Sequence, residues 1–264
     1  MDLQLNEKKA LVTGSTAGIG YATAKSLARE GAHVIINGRN YADVDEVASK
    51  LRQSTDNGFI SGVAADFSKK EEVDGLIEKI PDLDILVNNV GIFNEVDFTD
   101  ISDDEWFKMF EVNVMSGVRL ARHYFPKMME KDEGRIIFIS SESAMNIPTE
   151  MIHYGMSKTA QLSISRGLAR LTKGSDVTVN TVLPGPTWSR SLKEDMEAQA
   201  EETGQSIEKL TEDFFSEQRP TTLIDRFADI GEVANMVTYV ASPLASATNG
   251  AALRVDGGVV NSII

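Results

Sequence analysis

Tyr154 and Lys158 stand four residues apart in the stretch HYGMSK, residues 153 to 158. On an α-helix that spacing puts both side chains on one face, about 6 Å apart. A phenol has a pKa of about 10, too high for an efficient base near neutrality, and a neighbouring ammonium favours the phenolate. The pair can therefore exchange a proton with a bound molecule. On the hexapeptide alone it can equally be two unrelated side chains on a solvated helix.

A second stretch with chemical content is TGSTAGIG, residues 13 to 20. It follows a short apolar run and opens into a helical pattern. In such a place Gly14, Gly18 and Gly20 let the backbone turn tightly and approach a pyrophosphate, while the free amides and positive dipole end of the helix attract it. Ser15, Thr16 and Ile19 of the same loop are further candidate contacts. The alternative is a plain turn.

The elements that must position these residues are legible from hydrophobic patterning. Seven short apolar runs (KKALVTG, HVIING, FISGVAAD, DILVNN, RIIFISS, VTVNTVL and AALRVDGG) are too uniformly apolar for exposed antiparallel strands and suit strands covered on both faces. Helical patterns lie between them, most clearly at residues 18–30, 41–54, 69–79, 103–130, 152–173 and 231–241. Strand alternating with helix predicts parallel strands joined by right-handed crossovers. The expected fold is therefore α/β, a doubly wound Rossmann-type parallel sheet of about seven strands with helices on both faces. A single domain over residues 1–264 is expected, its irregular part at 186–222. Ligands of such sheets bind beyond the carboxyl ends of the strands.

Composition removes several classes of function. The 26 basic and 40 acidic side chains give a net charge of −14, which in bulk repels nucleic acid and anionic membrane. There is no cysteine, hence no disulfide or thiolate chemistry. His33, His123 and His153 are too scattered to suggest a metal site. The first residues, MDLQLNEKKALVTG, lack an apolar run preceded by positive charge, and no segment approaches the roughly 20 apolar residues that span a bilayer. A soluble cytoplasmic protein acting on a small molecule is expected.

TGSTAGIG, the NNVG of residues 88–91, Asn113, Ser141, the Tyr154 and Lys158 pair, Pro184 with Gly185, and the closing NGAALRVDGG occur in the order of the short-chain dehydrogenase/reductase family, which the chain resembles over nearly its whole length. The resemblance implies an NAD(P)-dependent oxidoreductase that interconverts an alcohol and a ketone or aldehyde by hydride transfer. In it Tyr154 is the general acid/base and Ser141 holds the substrate oxygen. Lys158 supports the phenolate and binds the nicotinamide ribose, and Asn113 holds a water that relays protons toward Lys158. A carbonyl gaining a hydride develops negative charge on oxygen, so a proton donor and a second hydrogen-bond donor beside it make chemical sense. Ser140 is the local rival of Ser141; adjacent strand residues face opposite ways, so only one can enter the site. Carried over by position are coenzyme contacts at Asp66 and Phe67, at Asn89 and Gly91, and at Thr187 and Ser189. The chain departs from the family at Val90, where alanine is usual, at Ser189, where threonine is usual, and in SSESA, which places Glu142 where glycine is frequent and brings it near the site mouth.

Coenzyme choice is read from HVIINGRN at the end of the second strand. Gly38 occupies the place where NAD-selective enzymes carry an acid, and Arg39 follows it, the pattern of NADP-preferring members. NADP(H) is expected and NAD(H) is the alternative, with Gly38→Asp plus Arg39→Ala expected to move preference toward NAD. Residues 193–217 carry nine acidic side chains against two lysines, either an amphipathic surface helix pair broken at Gly204 or part of a substrate lid over 186–222. That acidity sets a carrier-protein-linked substrate, as in 3-oxoacyl-carrier-protein reductases, below a free small molecule. A non-catalytic dinucleotide sensor is the rival class of function. Family members commonly pair the helices at 103–130 and 152–173 between subunits, so a homotetramer is expected.

Overall fold

Along each central strand, successive side chains enter two different cores. On β1 (Lys9–Val12), Ala10 and Val12 face one core and Leu11 the other. On β2 (His33–Gly38), Val34 and Ile36 oppose Ile35. This period of two with both phases apolar is the pattern of a strand sandwiched between helical layers. The computed structural model describes residues 1–55 and 59–263.

Helix α1 (Gly18–Arg29) follows β1, and α2 (Tyr41–Thr55) joins β2 to β3 (Ile60–Ala64). Helix α3 (Lys70–Lys79) leads to β4 (Ile85–Asn88). Next come α4 (Asp103–Phe110), a π-helical turn over Glu111–Met115, and α5 (Ser116–Lys131), running into β5 (Glu133–Ile139). Helix α6 (Ile152–Leu171) precedes β6 (Asp176–Pro184). Helices α7 (Arg190–Thr203) and α8 (Ile207–Asp213) form the acidic segment, and α9 (Ile230–Ala241) leads to β7 (Ala252–Val255). The seven strands pair in parallel in the order β3-β2-β1-β4-β5-β6-β7. Strand order reverses between β1 and β4, so the crevice at their carboxyl ends is the natural ligand site.

The helical run expected over 103–130 is interrupted. It starts on a capping box, with Ser102 and Glu105 each accepting from the other's backbone amide, and then widens into the π-helical turn that contains Asn113. Gly204, at φ 70°, ends α7 and separates it from α8 as expected. The segment also has an aromatic core of its own: the rings of Phe214, Phe215, Trp188 and Phe227 lie 4.8–5.2 Å apart by centroid, over buried Met196 and Leu210.

Candidate active site

The glycine loop after β1 is held by side chains from two neighbouring strands. Gly14 and Gly18 have φ of 59° and 57°, a region L-residues rarely adopt. A Cβ on Gly20 would lie 2.4 Å from the Gly14 carbonyl and 2.5 Å from Asn89 Nδ2, so only glycine lets α1 approach the loop so closely. Asn89 Nδ2 donates to the carbonyls of Thr13 (3.0 Å) and Gly14 (3.1 Å), clamping the loop from the end of β4. Beside it opens a cleft of about 650 Å³, lined among others by Gly14, Thr16, Gly38, Arg39, Asp66 and Gly91. Hydrogen bonds from the Ser68 amide and hydroxyl, with Lys69 and Arg39 nearby, hold the Asp66 carboxyl below its usual range despite partial burial.

Two expected coenzyme contacts are placed differently. Ser15 is fully buried: its hydroxyl donates to the Val12 carbonyl (2.7 Å) and accepts from the Asn37 amide (3.0 Å), tying β1 to β2. It is a structural residue, because both hydrogen-bonding capacities are used inside the sheet. Phe67 borders the cleft, but its ring sits in the core under α3, leaving the backbone to meet a ligand. Ile19, Pro184, Gly185, Thr187 and Ser189 line a second cavity of about 330 Å³, adjoining the first at Asn89, Gly91 and Phe93. A Cβ on Gly185 would fall 2.6 Å from the Asp256 carbonyl, so glycine here lets β6 and β7 end side by side. Ser189 caps α7, accepting from the Leu192 amide.

Ser141, Tyr154 and Lys158 meet in this second cavity. The Ser140 hydroxyl turns away and donates to the Lys158 carbonyl at 2.9 Å, leaving Ser141 to share a hydrogen bond with the Tyr154 hydroxyl. The Lys158 ammonium lies 5.6 Å from the Tyr154 ring centroid and donates to the Ile139 carbonyl at 3.0 Å. It passes beside Gly91, where a Cβ would stand only 3.2 Å from Nζ. The ammonium does not lower the phenol's pKa here as the spacing suggested. Burial pushes Tyr154 up to about 12, against the pull of the Ser141 hydrogen bond and with a small further push from Glu142. Burial pushes Lys158 down to about 8. Both groups have left water, and that cost outweighs their mutual attraction.

Asn113 is buried and fully engaged within the fold. Its Oδ1 accepts from the Ile92 amide (2.7 Å), and its Nδ2 donates to the Ile92 carbonyl (2.9 Å) and to Ser157 Oγ (2.9 Å). Gln161 Nε2 donates to its main-chain carbonyl at 2.6 Å. As placed, the Asn113 side chain ties the Ile92 backbone to Ser157 of α6, and it sits on the π-helical turn. Two features escaped the sequence reading. His153 is fully buried, with Nε2 2.9 Å from Asn94 Oδ1 and Trp106 edge-on to its ring. Arg219, from the turn after α8, reaches into the cavity and pairs with Glu142 at 3.1 Å. No local motif marks either one.

The family profile described as "short chain dehydrogenase" matches residues 8–200. The chain belongs to the short-chain dehydrogenase/reductase family. It is 50% identical over 266 residues to an uncharacterized oxidoreductase, YvrD, of Bacillus subtilis (strain 168), covering 100% of both chains. It is 30% identical to a D-beta-hydroxybutyrate dehydrogenase of Cupriavidus necator, over 97% of this chain and 99% of that one. Among solved structures, L-sorbose reductase from Gluconobacter frateurii complexed with NADPH and L-sorbose superposes with a TM-score of 0.94 at 29% identity, covering 100% of each chain. The protein is accordingly an NAD(P)-dependent oxidoreductase acting on CH–OH and C=O groups of a small molecule. Among the described residues no cluster of side chains could hold a metal ion, and no helix is long and apolar enough to cross a membrane.

Proposed function

We propose that the protein reduces a small ketone or oxidises the corresponding alcohol with NADP(H) preferred, using Tyr154 as acid/base, Ser141 as hydrogen-bond donor to the substrate oxygen, and Lys158 as charge and ribose anchor. The observation that carries this reading is the convergence of Ser141, Tyr154 and Lys158 on one cavity that adjoins the cleft under the glycine loop. The glycine loop, the close approaches at Gly20 and Gly91 and the Asp66 carboxylate in the cleft lining fit a dinucleotide, whose nicotinamide supplies or accepts the hydride. With its pKa near 12 the phenol is protonated at neutral pH, the form that hands a proton to a developing alkoxide. Ser141, bonded to the same hydroxyl, stabilises that oxygen as charge develops. The acid segment 186–222 is read as a lid on the substrate cavity, because Leu192, Phe214 and Arg219 contribute to its wall.

The coenzyme preference rests on Arg39 on the cleft rim beside Gly38. A guanidinium there makes charge-assisted bonds to a 2′-phosphate. Arg39→Ala is expected to lower kcat/KM with NADPH about tenfold and to leave NADH nearly unchanged, read from steady-state rates with both coenzymes. A wild-type enzyme more efficient with NADH would overturn the preference. Gly38→Asp is less clean than the sequence suggests. A Cβ at residue 38 falls 2.6 Å from Thr16 Cγ2 and 3.1 Å from Val44 Cγ2, so an acid introduced there requires Thr16 to be made smaller in the same variant.

A homotetramer in the cytoplasm is the assembly proposed. Support comes from α4, which leaves Phe107 71% and Phe110 40% exposed beside the helices expected to pair, more aromatic surface than a helix gains by leaving in water. Light scattering at micromolar concentration should give four times the chain mass of 28.8 kDa; a monomer alone would refute the assembly.

A further inference from the structure

Glu142 follows Ser141 directly and is 3% exposed. Its Oε1 accepts from Arg219 Nε at 3.1 Å and from Ser143 Oγ at 3.2 Å. Its Oε2 is buried and has no hydrogen-bond partner among the described residues. Arg219, itself 9% exposed, donates through Nη1 to the Gln218 carbonyl at 2.9 Å, and the same nitrogen lies 3.9 Å from Glu150 Oε1. Glu142, Glu150 and Arg219 all line the cavity that holds Ser141 and Tyr154. With Glu95 and Lys158 also in the lining, three carboxylates stand against two cations and leave the cavity one negative charge in excess.

Resting on the oxidoreductase reading above, we propose that Glu142, braced by Arg219, is a specificity-determining residue that selects a neutral polyhydroxy ketone and its polyol over anionic or unsubstituted carbonyl compounds. An ionised carboxylate only accepts hydrogen bonds, so its open oxygen asks for a donor on the substrate, and a hydroxyl near the reacting carbonyl is that donor. A substrate without one leaves the buried oxygen unpaired at a cost. A substrate carboxylate meets the excess negative charge of the wall, to which Asp256 adds from behind. Burial holds the Glu142 carboxyl above its ordinary range against the pull of the Arg219 charge, and the guanidinium 3.1 Å away is the partner that favours the ionised, accepting form. The aromatic rings of Phe93, Phe214 and Phe227 elsewhere in the wall offer flat apolar surface to the carbon face of such a molecule. The competing account makes the pair a latch only, joining the turn after α8 to the end of β5.

The test is NADPH-dependent reduction of three probe classes by the full-length enzyme: four- and six-carbon ketoses of both hands, 2-hexanone, and acetoacetate. The best ketose is expected to exceed 2-hexanone in kcat/KM by about tenfold to a hundredfold, the scale of one hydrogen bond to a charged group, with acetoacetate lowest. Glu142→Gln, which keeps the side-chain volume, should shrink both ratios about tenfold. A wild-type enzyme that prefers acetoacetate or 2-hexanone would overturn the inference while leaving the oxidoreductase reading intact. So would a Glu142→Gln variant whose three rates fall in equal proportion, as a latch predicts. Should that variant not fold, the wild-type ranking decides alone. Bound coenzyme with no turnover of any carbonyl would overturn the oxidoreductase reading, and this inference with it.

Discussion

Tyr154→Phe is expected to lower kcat by about a thousandfold, within the 10²–10⁴ that a positioned acid or base contributes, while coenzyme Kd changes by less than about twofold. The substitution removes one hydroxyl and leaves the ring, its edge-on contact with Phe93 at 6.1 Å and its place under the Lys158 ammonium. The cleft beneath the glycine loop, lined by residues of other elements, is not disturbed. Ser141 loses its partner in the hydrogen bond with Tyr154 and can still donate to a substrate oxygen, so residual turnover reports what the serine achieves without a proton donor. Steady-state rates paired with a fluorescence titration of NADPH separate the two quantities. A variant within tenfold of wild type in kcat would remove Tyr154 from the acid/base role.

The same hydroxyl shows what sequence spacing can and cannot state. Four residues on a helix correctly put Tyr154 and Lys158 on one face, since helical periodicity is a local property. Their proton affinities are not local. They follow from how thoroughly β5, the Gly91 backbone and the substrate wall exclude water, and burial moved both groups opposite to the ammonium argument. The strands were legible for the local reason too: residues such as Ala10, Leu11 and Val12 are apolar in both phases of the alternation, which only a twice-covered strand requires. The π-helical turn was not. WFKMFEVNVMSGV has ordinary helical periodicity, and the widened turn comes with a pairing of the Asn113 amide to Ile92, 21 residues away. Ser15 was misread for a related reason. A loop serine offers no local sign of whether it faces ligand or sheet, and here the Asn37 amide claimed it. The Glu142–Arg219 pair joins residues 77 apart; the missing glycine in SSESA marked one member and nothing marked the other.

Lys158→Met is expected to cost function and add stability at once. On the functional side the variant loses the buried ammonium beside the phenol, and with it the proposed ribose anchor. A fall in kcat of about 10²–10³, the scale of deleting one preorganised electrostatic group, should accompany weaker NADPH binding. Unchanged coenzyme affinity would remove the ribose role. On the stability side, the ammonium is 4% exposed and donates to the Ile139 carbonyl, and burial lowers its pKa from 10.5 to about 8. Below about pH 8 the folded protein carries the buried charge at a cost, which at about 1.4 kcal/mol per unit is on the order of 3 kcal/mol before relaxation is allowed for. Between about pH 8 and 10.5 the unfolded chain binds the proton that the folded one has released, so the lysine's penalty shrinks as pH rises and vanishes above the unfolded value. The methionine, of similar length and apolar, carries no such penalty. Melting of the two proteins without coenzyme should therefore show the variant more stable at pH 7, the gap closing toward pH 10.5. A gap that is absent at pH 7, or that widens with pH, would mean that the ammonium is better solvated than its burial implies and that its low proton affinity is not what the site imposes before coenzyme arrives.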